Sequence, residues 1–391
     1  MNSSKLKIVI FDGSFETTAF IRRLMKGLTK DHQVFVIGFN ENLKNQVERV
    51  RYVKLGSNQH KLSFIKTSVN AQGLSLTLLK NLIKGKRKKI QKKNLDKVLN
   101  DIQPDVIHAQ WPSVLSWLEP YLQNQKYPVI LSQRGYHTNV RPFVKKENYQ
   151  YLQNLYPQLS GLHSVSQAIA KAGQKIGMPK TRIDKVVYTG LNLDDFTFDK
   201  NFKKQSKIEI ISVGRPHWKK GYSYAIRACD ILNKQNLDFH YTIVGGNEDE
   251  ELLYLIREFN LERKVTLTGK LPQDQVFDLV RESSLFLLPS LEEGIANVAV
   301  ESMALGTPVI STDCGGMEEL IENNVNGFLI STRSEAKIAT AVIKFSKLEE
   351  SQIQQTSINA RKKVEENFTE SNMVKDMLAL YQTVISAKSI S

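Results

Sequence analysis

Short apolar runs alternate with longer helical patterns along almost the whole chain. Many of the runs are β-branched and apolar at consecutive positions, which is typical of strands covered on both faces. We predict strands at 6–11, 34–37, 50–55, 106–108, 129–132, 162–165, 186–188, 208–213, 239–244, 265–267, 285–288, 308–311 and 328–330. Helical patterns lie between them, for example at 19–28, 222–232, 250–259 and 298–305. This alternation predicts α/β architecture with parallel sheets and helices on both faces.

So many strands fit two doubly wound sheets better than one open sheet, and 391 residues suffice for two or three domains. A polar segment at 195–206 precedes the strand that begins at Ile208. We therefore predict two Rossmann-like domains, 1–198 and 199–369. The last segment has a helical pattern with no strand after it, and we expect this C-terminal helix, near 370–391, to belong with the first domain.

Composition excludes several classes of protein. Hydrophobic residues make up 41% and charged residues 24%, which excludes a disordered or fibrous chain. No run approaches the ~18 consecutive apolar residues of a membrane-spanning helix, and the N-terminus has no signal-peptide pattern. The two cysteines, Cys229 and Cys314, form neither a disulfide framework nor a zinc motif. We expect a cytoplasmic protein.

The positive charge is concentrated in the first half of the chain. The formal net charge is +14, yet residues 1–195 hold 31 basic and 13 acidic residues, whereas the remainder holds 23 and 27. Between Arg49 and Leu95 there are 13 basic residues and no acidic one. Such a segment is either a solvated face or a surface for an anionic partner. Its apolar positions around 83–99 are too sparse for membrane insertion, so we expect attraction to lipid headgroups by charge alone.

The first motif is GRPHWKKG at 214–221, directly after a predicted strand. Gly214 allows a tight turn, and Arg215 and Lys220 then bring two cations to the carboxyl end of the strand. Open α/β sheets bind ligands at that edge, and such a cation pair suits a diphosphate. The alternative is a solvent-exposed basic turn.

The second motif runs from Glu293 to Glu301, eight positions later, with Gly294 and a helix start near Asn297 between them. Backbone amides at 294–298 would face an anion, helped by the helix dipole. Glu301, one turn into the helix, is suited to accept hydrogen bonds from a diol. Two surface glutamates near a helix start would give the same spacing.

Together the two motifs resemble the retaining glycosyltransferases of family 4, glycosyltransferase group 1, which have the GT-B fold. The family's G-R-x4-K-G element stands here as GRPHWKKG, and its E-x7-E element as Glu293 to Glu301. The segments SMALGTPVIST at 302–312, DCGGMEELI at 313–321 and NGFLI at 326–330 resemble the family's continuation. The resemblance is dense over 208–331 and thinner before it. It implies two domains facing each other across a cleft.

The resemblance also implies an activity: transfer of a sugar from a UDP- or GDP-linked donor to a glycan or lipid-linked acceptor, with retention of configuration and no metal or other cofactor. Arg215 and Lys220 would stabilise the diphosphate, Glu293 would orient the sugar, and Glu301 would bind the ribose. We take Glu293, Arg215 and Lys220 as the catalytic candidates. The other donor-binding candidates are Gly13, Gly214, Lys270, Leu271, Gly294, Ile295, Ala296, Asn297, Val298 and Glu301.

The first half departs from the family pattern on the acceptor side. Its early loop reads Asp12-Gly13-Ser14 instead of containing two adjacent glycines, and Arg134 stands where the family has a histidine. His137, three residues later, is a candidate to replace that histidine. His108 either lines the acceptor site or is a packed, hydrogen-bonded residue.

Two other functions share these features. A nucleotide-sugar epimerase has the same architecture, and a non-catalytic subunit could retain the donor site. The chain has no aromatic-rich RNA motif, zinc finger or helix-turn-helix, so we expect no nucleic-acid partner. We expect a role in bacterial surface polysaccharide or glycolipid synthesis, peripheral on the inner face of the cell membrane.

Overall fold

The computed structural model describes residues 5–15, 17–39, 43, 46–180, 182–198 and 206–390, except for the side chains of 389 and 390. The strands are β1 Lys7–Gly13, β2 Gln33–Gly38, β3 Arg51–Lys54, β4 Val106–Ala109, β5 Val129–Gln133, β6 Gly161–Ser164, β7 Ile183–Val186, β8 Ile208–Val213, β9 Phe239–Val244, β10 Val265–Thr268, β11 Leu285–Leu288, β12 Val309–Thr312 and β13 Phe328–Ile330. The helices are α1 Ala19–Leu28, α2 Lys61–Gln72, α3 Leu76–Ile83, α4 Arg87–Ile102, α5 Leu115–Gln123, α6 Tyr136–Asn139, α7 Arg141–Val144, α8 Lys146–Leu155, α9 Gln167–Ile176, α10 Tyr222–Lys234, α11 Glu250–Glu258, α12 Gln273–Glu282, α13 Asn297–Leu305, α14 Met317–Leu320, α15 Glu335–Ser346, α16 Glu350–Asn367 and α17 Glu370–Ile390.

The backbone divides into two compact units. The first comprises the described residues of Met1–Val165, Ala170–Gly190 and Glu370–Ser391, and the second those of Ser166–Ile169 and Leu191–Thr369. The division thus falls between Gly190 and Leu191, ahead of the boundary that we predicted at 198/199. Residues 199–205 of the predicted linker lie outside the described residues.

The first unit contains a parallel sheet in the order β3-β2-β1-β4-β5-β6-β7. The central strand β1 is buried on both faces, with Ile8, Val9, Ile10 and Phe11 each 0% exposed. One face packs against α4 and α5, and the other against α1 and α17. Because α17 contributes five buried side chains to this second core, the C-terminal helix completes the first unit.

The second unit contains a parallel sheet in the order β10-β9-β8-β11-β12-β13. Its strands are short apolar runs such as LFLL in β11, in which all four residues are buried. Helices α10, α11 and α15 cover one face through Ile226, Leu255, Val342 and similar side chains. A strand buried on both faces needs apolar residues at consecutive positions, which is why these elements are readable from sequence.

The predicted fold class is confirmed: within the described residues both sheets are fully parallel and alternate with helices. The prediction is least accurate for β7, which covers Ile183–Val186 rather than 186–188. This edge strand is only half-buried, so it lacks the apolar run. The run VVY begins as β7 ends, and Val187 packs into the core behind it.

No helix in the described part of the chain combines the length and the apolar character that crossing a bilayer demands.

Candidate functional site

The second sheet changes direction between β8 and β11. From β8 the chain adds β9 and β10 on one side, and it then returns to place β11, β12 and β13 on the other. In parallel sheets the loops that leave two such neighbouring strands diverge, which opens a crevice at the carboxyl edge. Both sequence motifs begin at this crevice, since Gly214 follows the end of β8 and Pro289 follows the end of β11.

Lys220 and Glu293 form an ion pair across the crevice. Their Nζ and Oε1 atoms are 2.7 Å apart, and the side chains are only 17% and 10% exposed. Ser290 Oγ donates to the same carboxylate oxygen at 3.1 Å, and the Leu291 amide donates to the Lys219 carbonyl at 2.6 Å. A largely buried ion pair is tolerated only when each charge has partners. The arrangement therefore holds the ammonium group in place at the carboxyl edge of the sheet, and an ammonium group has three N–H donors in all.

Two glycines allow the loops to approach this closely. Gly221 has a φ of +65°, and a Cβ on it would lie 2.0 Å from the Pro289 carbonyl oxygen. Gly315, with a φ of +56°, would place a Cβ 1.8 Å from the Glu293 carbonyl oxygen. Any side chain at either position would push the loop after β11 away from its neighbours, so these glycines define the crevice walls.

Helix α13 begins at Asn297, at the end of the loop that carries Glu293. The amides of Ala299 and Val300 turn back to the Ala296 carbonyl, so the helix presents its N-terminal end to this edge of the sheet. Glu301 lies one turn into the helix and is half-buried. The macrodipole at a helix N-terminus favours an anion.

The remaining donor candidates differ in location. Arg215 is exposed just beyond β8, and Lys270 and Leu271 follow β10 at the same edge of this sheet. Ile295 and Val298 are half-buried, whereas Gly294 and Ala296 are buried. Gly13 belongs to the other unit, where it ends β1 with a φ of +83°.

The basic side chains at the carboxyl edge of the second sheet favour the binding of an anion. The pKa of His217 is lowered by burial first, and then by the positive charges of Lys219, Arg215 and Lys220. Burial raises the pKa of the Cys314 thiol to about 12, so this residue stays protonated at neutral pH. The loops therefore offer cations and no thiolate.

The carboxyl edge of the first sheet is filled by its own side chains. The His163 Nε2 atom lies 3.1 Å from the Val187 carbonyl and must donate to it. With both rings neutral, Ser132 Oγ then donates to His163 Nδ1, His108 Nε2 donates to Ser132, and Tyr381 OH donates to His108 Nδ1, all within 2.7–2.8 Å. His108 is 0% exposed. Of the two roles predicted for it, the structure supports the packed, hydrogen-bonded one.

Arg134 lies beside this network. Its guanidinium carbon is 4.2 Å from the ring centroid of Phe20 and 5.4 Å from that of Trp111, and it donates to Gln110 Oε1 at 2.7 Å. Burial lowers the pKa of Arg134 to about 10, which leaves it charged at pH 7. Its Nε atom is buried and has no hydrogen-bond partner among the described residues. An orphaned donor of this kind indicates a missing acceptor atom, such as one from a ligand or water.

Sequence reasoning did not select Asp12, which is 7% exposed and accepts from Trp111 Nε1 at 2.6 Å. Burial raises the pKa of Asp12, although the hydrogen bond from Trp111 and the charge of Arg134 oppose this rise. The sequence signal for these residues was their position at the ends of strands, because Asp12 is the penultimate residue of β1 while Gln110 and Trp111 follow β4. His137 lies on the short helix α6, with its ring 6.0 Å from that of Trp111.

The described residues include no cluster of three or more histidine, cysteine, aspartate or glutamate side chains that could hold a metal ion.

The two parallel, doubly wound units have the topology of the GT-B fold. Residues 194–363, less than half of the chain, match the family model described as "Glycosyl transferases group 1".

Two relatives are named as glycosyltransferases of polysaccharide synthesis. AmsK of Erwinia amylovora, an amylovoran biosynthesis glycosyltransferase, is 33% identical over 226 residues, covering 55% of each chain. WcaL of Escherichia coli, a candidate colanic acid biosynthesis glycosyltransferase, is 33% identical over 218 residues, 54% of this chain and 53% of WcaL. The chain thus spans about half the length of these relatives. HepE of Anabaena, solved in complex with UDP and glucose, shares the fold, with a TM-score of 0.74, 19% identity and coverage of 97% and 100%.

Proposed function

We propose that this protein transfers a sugar from a nucleotide-diphosphate donor to a glycan or lipid-linked acceptor, with retention of configuration. The observation that carries the proposal is the Lys220–Glu293 ion pair at the switch point of the second sheet. A cation fixed at that position by a carboxylate and a hydroxyl is preorganised for a diphosphate leaving group.

In the proposed reaction the bond from the sugar C1 to the diphosphate oxygen breaks, and its electron pair stays on the β-phosphate. The acceptor hydroxyl oxygen bonds to C1 on the same face, and its proton passes to the departing phosphate. Lys220, Arg215 and the N-terminus of α13 stabilise the charge that develops on this phosphate. These groups replace the divalent cation that other phosphate chemistries use, so we propose metal-independent catalysis.

The carboxylates have different tasks in this proposal. Glu293 binds a sugar hydroxyl while keeping Lys220 aligned, since its Oε1 already contacts Nζ at 2.7 Å. Glu301 accepts hydrogen bonds from the ribose hydroxyls, and Lys270 and Leu271 border the base. HepE was solved with UDP and glucose, which supports a UDP-linked donor.

We place acceptor recognition on the carboxyl edge of the first sheet. Asp12 and the orphaned Nε of Arg134 provide one acceptor and one donor for sugar hydroxyls, and His137 borders them through Trp111. His108 contributes indirectly, because its ring supports the strand ends rather than a ligand. AmsK is named as an amylovoran biosynthesis glycosyltransferase, which supports a role in polysaccharide synthesis; we propose that this role is carried out at the cytoplasmic face of the membrane.

A ligand screen tests the donor site directly. UDP, GDP, ADP and their sugars should be compared by thermal shift, since a ligand raises the stability of the fold in proportion to the logarithm of its concentration over Kd. We expect one nucleotide series to stabilise the protein. Arg215→Ala and Lys220→Met should each weaken that binding or the transfer rate about ten- to a hundredfold, as expected for a lost charge-assisted hydrogen bond.

Lys234→Met serves as the matched control, because Lys234 is an exposed lysine at the end of α10 that pairs only with Asp230 among the described residues. Equal nucleotide binding by all three variants and the wild type would refute the site. Turnover of the donor without any acceptor would instead identify an epimerase, and binding without turnover a non-catalytic subunit.

A further inference from the structure

A small helical layer, α2 to α4, connects β3 to β4 in the first unit. Helix α4 anchors it, because Leu95 and Leu99 pack in the main core. Phe64 of α2 and Leu78 of α3 meet Ile90 of α4 in a separate apolar cluster. The apolar positions of α4 are therefore used inside the protein.

Helix α3 nevertheless has a second apolar face. Leu78 is 1% exposed and packs inward, with Leu82 on the same side. Leu76, Leu79 and Ile83, at i, i+3 and i+7, share the opposite side and are 88%, 47% and 86% exposed. A helix at an ordinary protein surface shows one apolar stripe, whereas the outer stripe of α3 is a second one and is left exposed by the described residues of the unit.

Further exposed apolar side chains lie on the preceding helix α2 and in the segment between α2 and α3. We define the outer apolar face as Leu62, Ile65, Leu74, Leu76, Leu79 and Ile83. Among the described residues, every large hydrophobic side chain that is more than four-fifths exposed lies in this face. Single exposed leucines are common on soluble proteins, whereas a concentration of this kind marks an interaction surface.

The charges around this face indicate what covers it. The same helices and the start of α4 carry seven exposed lysines, namely Lys61, Lys66, Lys80, Lys84, Lys86, Lys88 and Lys89. No carboxylate lies between Arg49 and Leu95. A protein partner needs fixed, complementary contacts, whereas an anionic bilayer accepts aliphatic side chains below its headgroups and lysines among them.

We propose that the outer apolar face inserts into the interface of an anionic lipid bilayer. Leu76, Leu79 and Ile83 enter the acyl boundary, and the lysines contact lipid phosphates. This inference deepens the proposed function, on which it rests for its purpose, by bringing the chain to a lipid-linked acceptor. It adds to the expected attraction by charge the aliphatic side chains that the structure exposes on α2 and α3.

Co-sedimentation of the full chain with vesicles tests the proposal without any donor or acceptor. The vesicles are pure phosphatidylcholine or a mixture with about one third phosphatidylglycerol, each at low and high salt. We expect binding to the anionic vesicles, weakened but not abolished by salt, because screening affects only the charge component. Leu76→Ser/Leu79→Ser/Ile83→Ser should lower the partition coefficient at least about tenfold, and Lys80→Gln/Lys84→Gln/Lys88→Gln about as much at low salt.

The matched control is Leu253→Ser/Tyr254→Ser/Ile358→Ser, which removes three exposed apolar side chains from the second unit and should bind like the wild type. Circular dichroism and the thermal shift with UDP show whether each variant remains folded and binds nucleotide. Absence of wild-type binding to anionic vesicles, or equal binding by the α3 triple variant, overturns the inference.

Gel filtration distinguishes a second copy of the chain from a membrane. A wild-type dimer that the α3 substitutions convert to a monomer, without vesicle binding, assigns the face to self-association and overturns the proposal. Loss of vesicle binding with an intact nucleotide shift leaves the donor site standing, so the two proposals fail separately.

Discussion

The carboxyl edges of the two parallel sheets have the same backbone architecture, but the side chains that lie there differ. In the first unit the edge is filled by imidazole, phenol and guanidinium groups, from His163 to Arg134, that bond to one another. In the second unit the corresponding loops approach each other through glycine and carry one ion pair, Lys220–Glu293. Small residues leave the edge of the second sheet open to a ligand, whereas the edge of the first sheet offers single polar atoms such as the Nε of Arg134.

The difference predicts how each unit fails. At the carboxyl edge of the second sheet the loop backbones lie close together, so a substitution that adds a side chain there should disrupt the site most. The carboxyl edge of the first sheet depends on a chain of hydrogen bonds between uncharged side chains. Protonation of a histidine or loss of one hydroxyl group should therefore destabilise this unit most.

The largest expected effect is that of Gly315→Ala. A Cβ would lie 1.8 Å from the Glu293 carbonyl oxygen at a φ of +56°, so the loop must move and nucleotide binding should fall by at least about a hundredfold. Gly85→Ala has the same backbone cost, with a φ of +61° and no atom within 4 Å, and should lose only about 1 kcal/mol of stability. Urea unfolding and the UDP-induced thermal shift measure both variants. Similar behaviour of the two would show that steric approach does not define the crevice.

The second prediction concerns acid pH. Burial lowers the pKa of His163 to about 3, from an unfolded value near 6.5, and burial also lowers the pKa of His108 well below its ordinary value. The unfolded state binds these protons first as pH falls below 6.5, so stability is lost on acidification. At pH 5 the loss from His163 is about 2 kcal/mol.

Urea unfolding at pH 7 and pH 5 measures this loss. His163→Asn should reduce the difference in unfolding free energy between the two pH values by about 2 kcal/mol. An unaltered pH dependence in His163→Asn would contradict the neutral hydrogen-bond chain.

Tyr381→Phe should have a smaller effect, confined to the first unit. It removes the hydroxyl at 2.7 Å from His108 Nδ1 and leaves a buried acceptor without its donor, which costs about 1–3 kcal/mol. Tyr254→Phe is the control, since its hydroxyl meets Glu258 at an exposed position of α11. Equal free energies of unfolding for the two variants would show that Tyr381 does not anchor α17 through this bond.

For the last prediction, removal of metal ions, we expect no effect on the transfer rate. If Arg215, Lys220 and the N-terminus of α13 supply the positive charge that stabilises the departing phosphate, EDTA should leave the transfer rate unchanged. The rate should be measured after chelation and again after addition of Mg²⁺ or Mn²⁺. Loss of activity that either ion restores would require a metal, and would assign different roles to Arg215 and Lys220.

The alternation of strands and helices was determined by the sequence alone. Strands such as Ile208–Val213, Phe239–Val244 and Leu285–Leu288 have the limits that we predicted, because burial on both faces demands a continuous apolar run that loops lack. The edge strand β7 was misplaced for the same reason, since half-burial removes that signal. The motif at 214–221 and the Glu293–Glu301 spacing were also visible, because turns and helix starts need particular residues at particular positions.

Only the tertiary structure decided which of these residues meet. Lys220 and Glu293 are 73 positions apart, and their 2.7 Å contact follows from the adjacency of β8 and β11. The same applies to His108 and Tyr381, 273 positions apart, and to the outer stripe of α3, whose leucines are indistinguishable in sequence from the inward-facing Leu78. Local sequence determines an element through short-range sterics and periodicity, whereas partners and exposure depend on how distant elements pack.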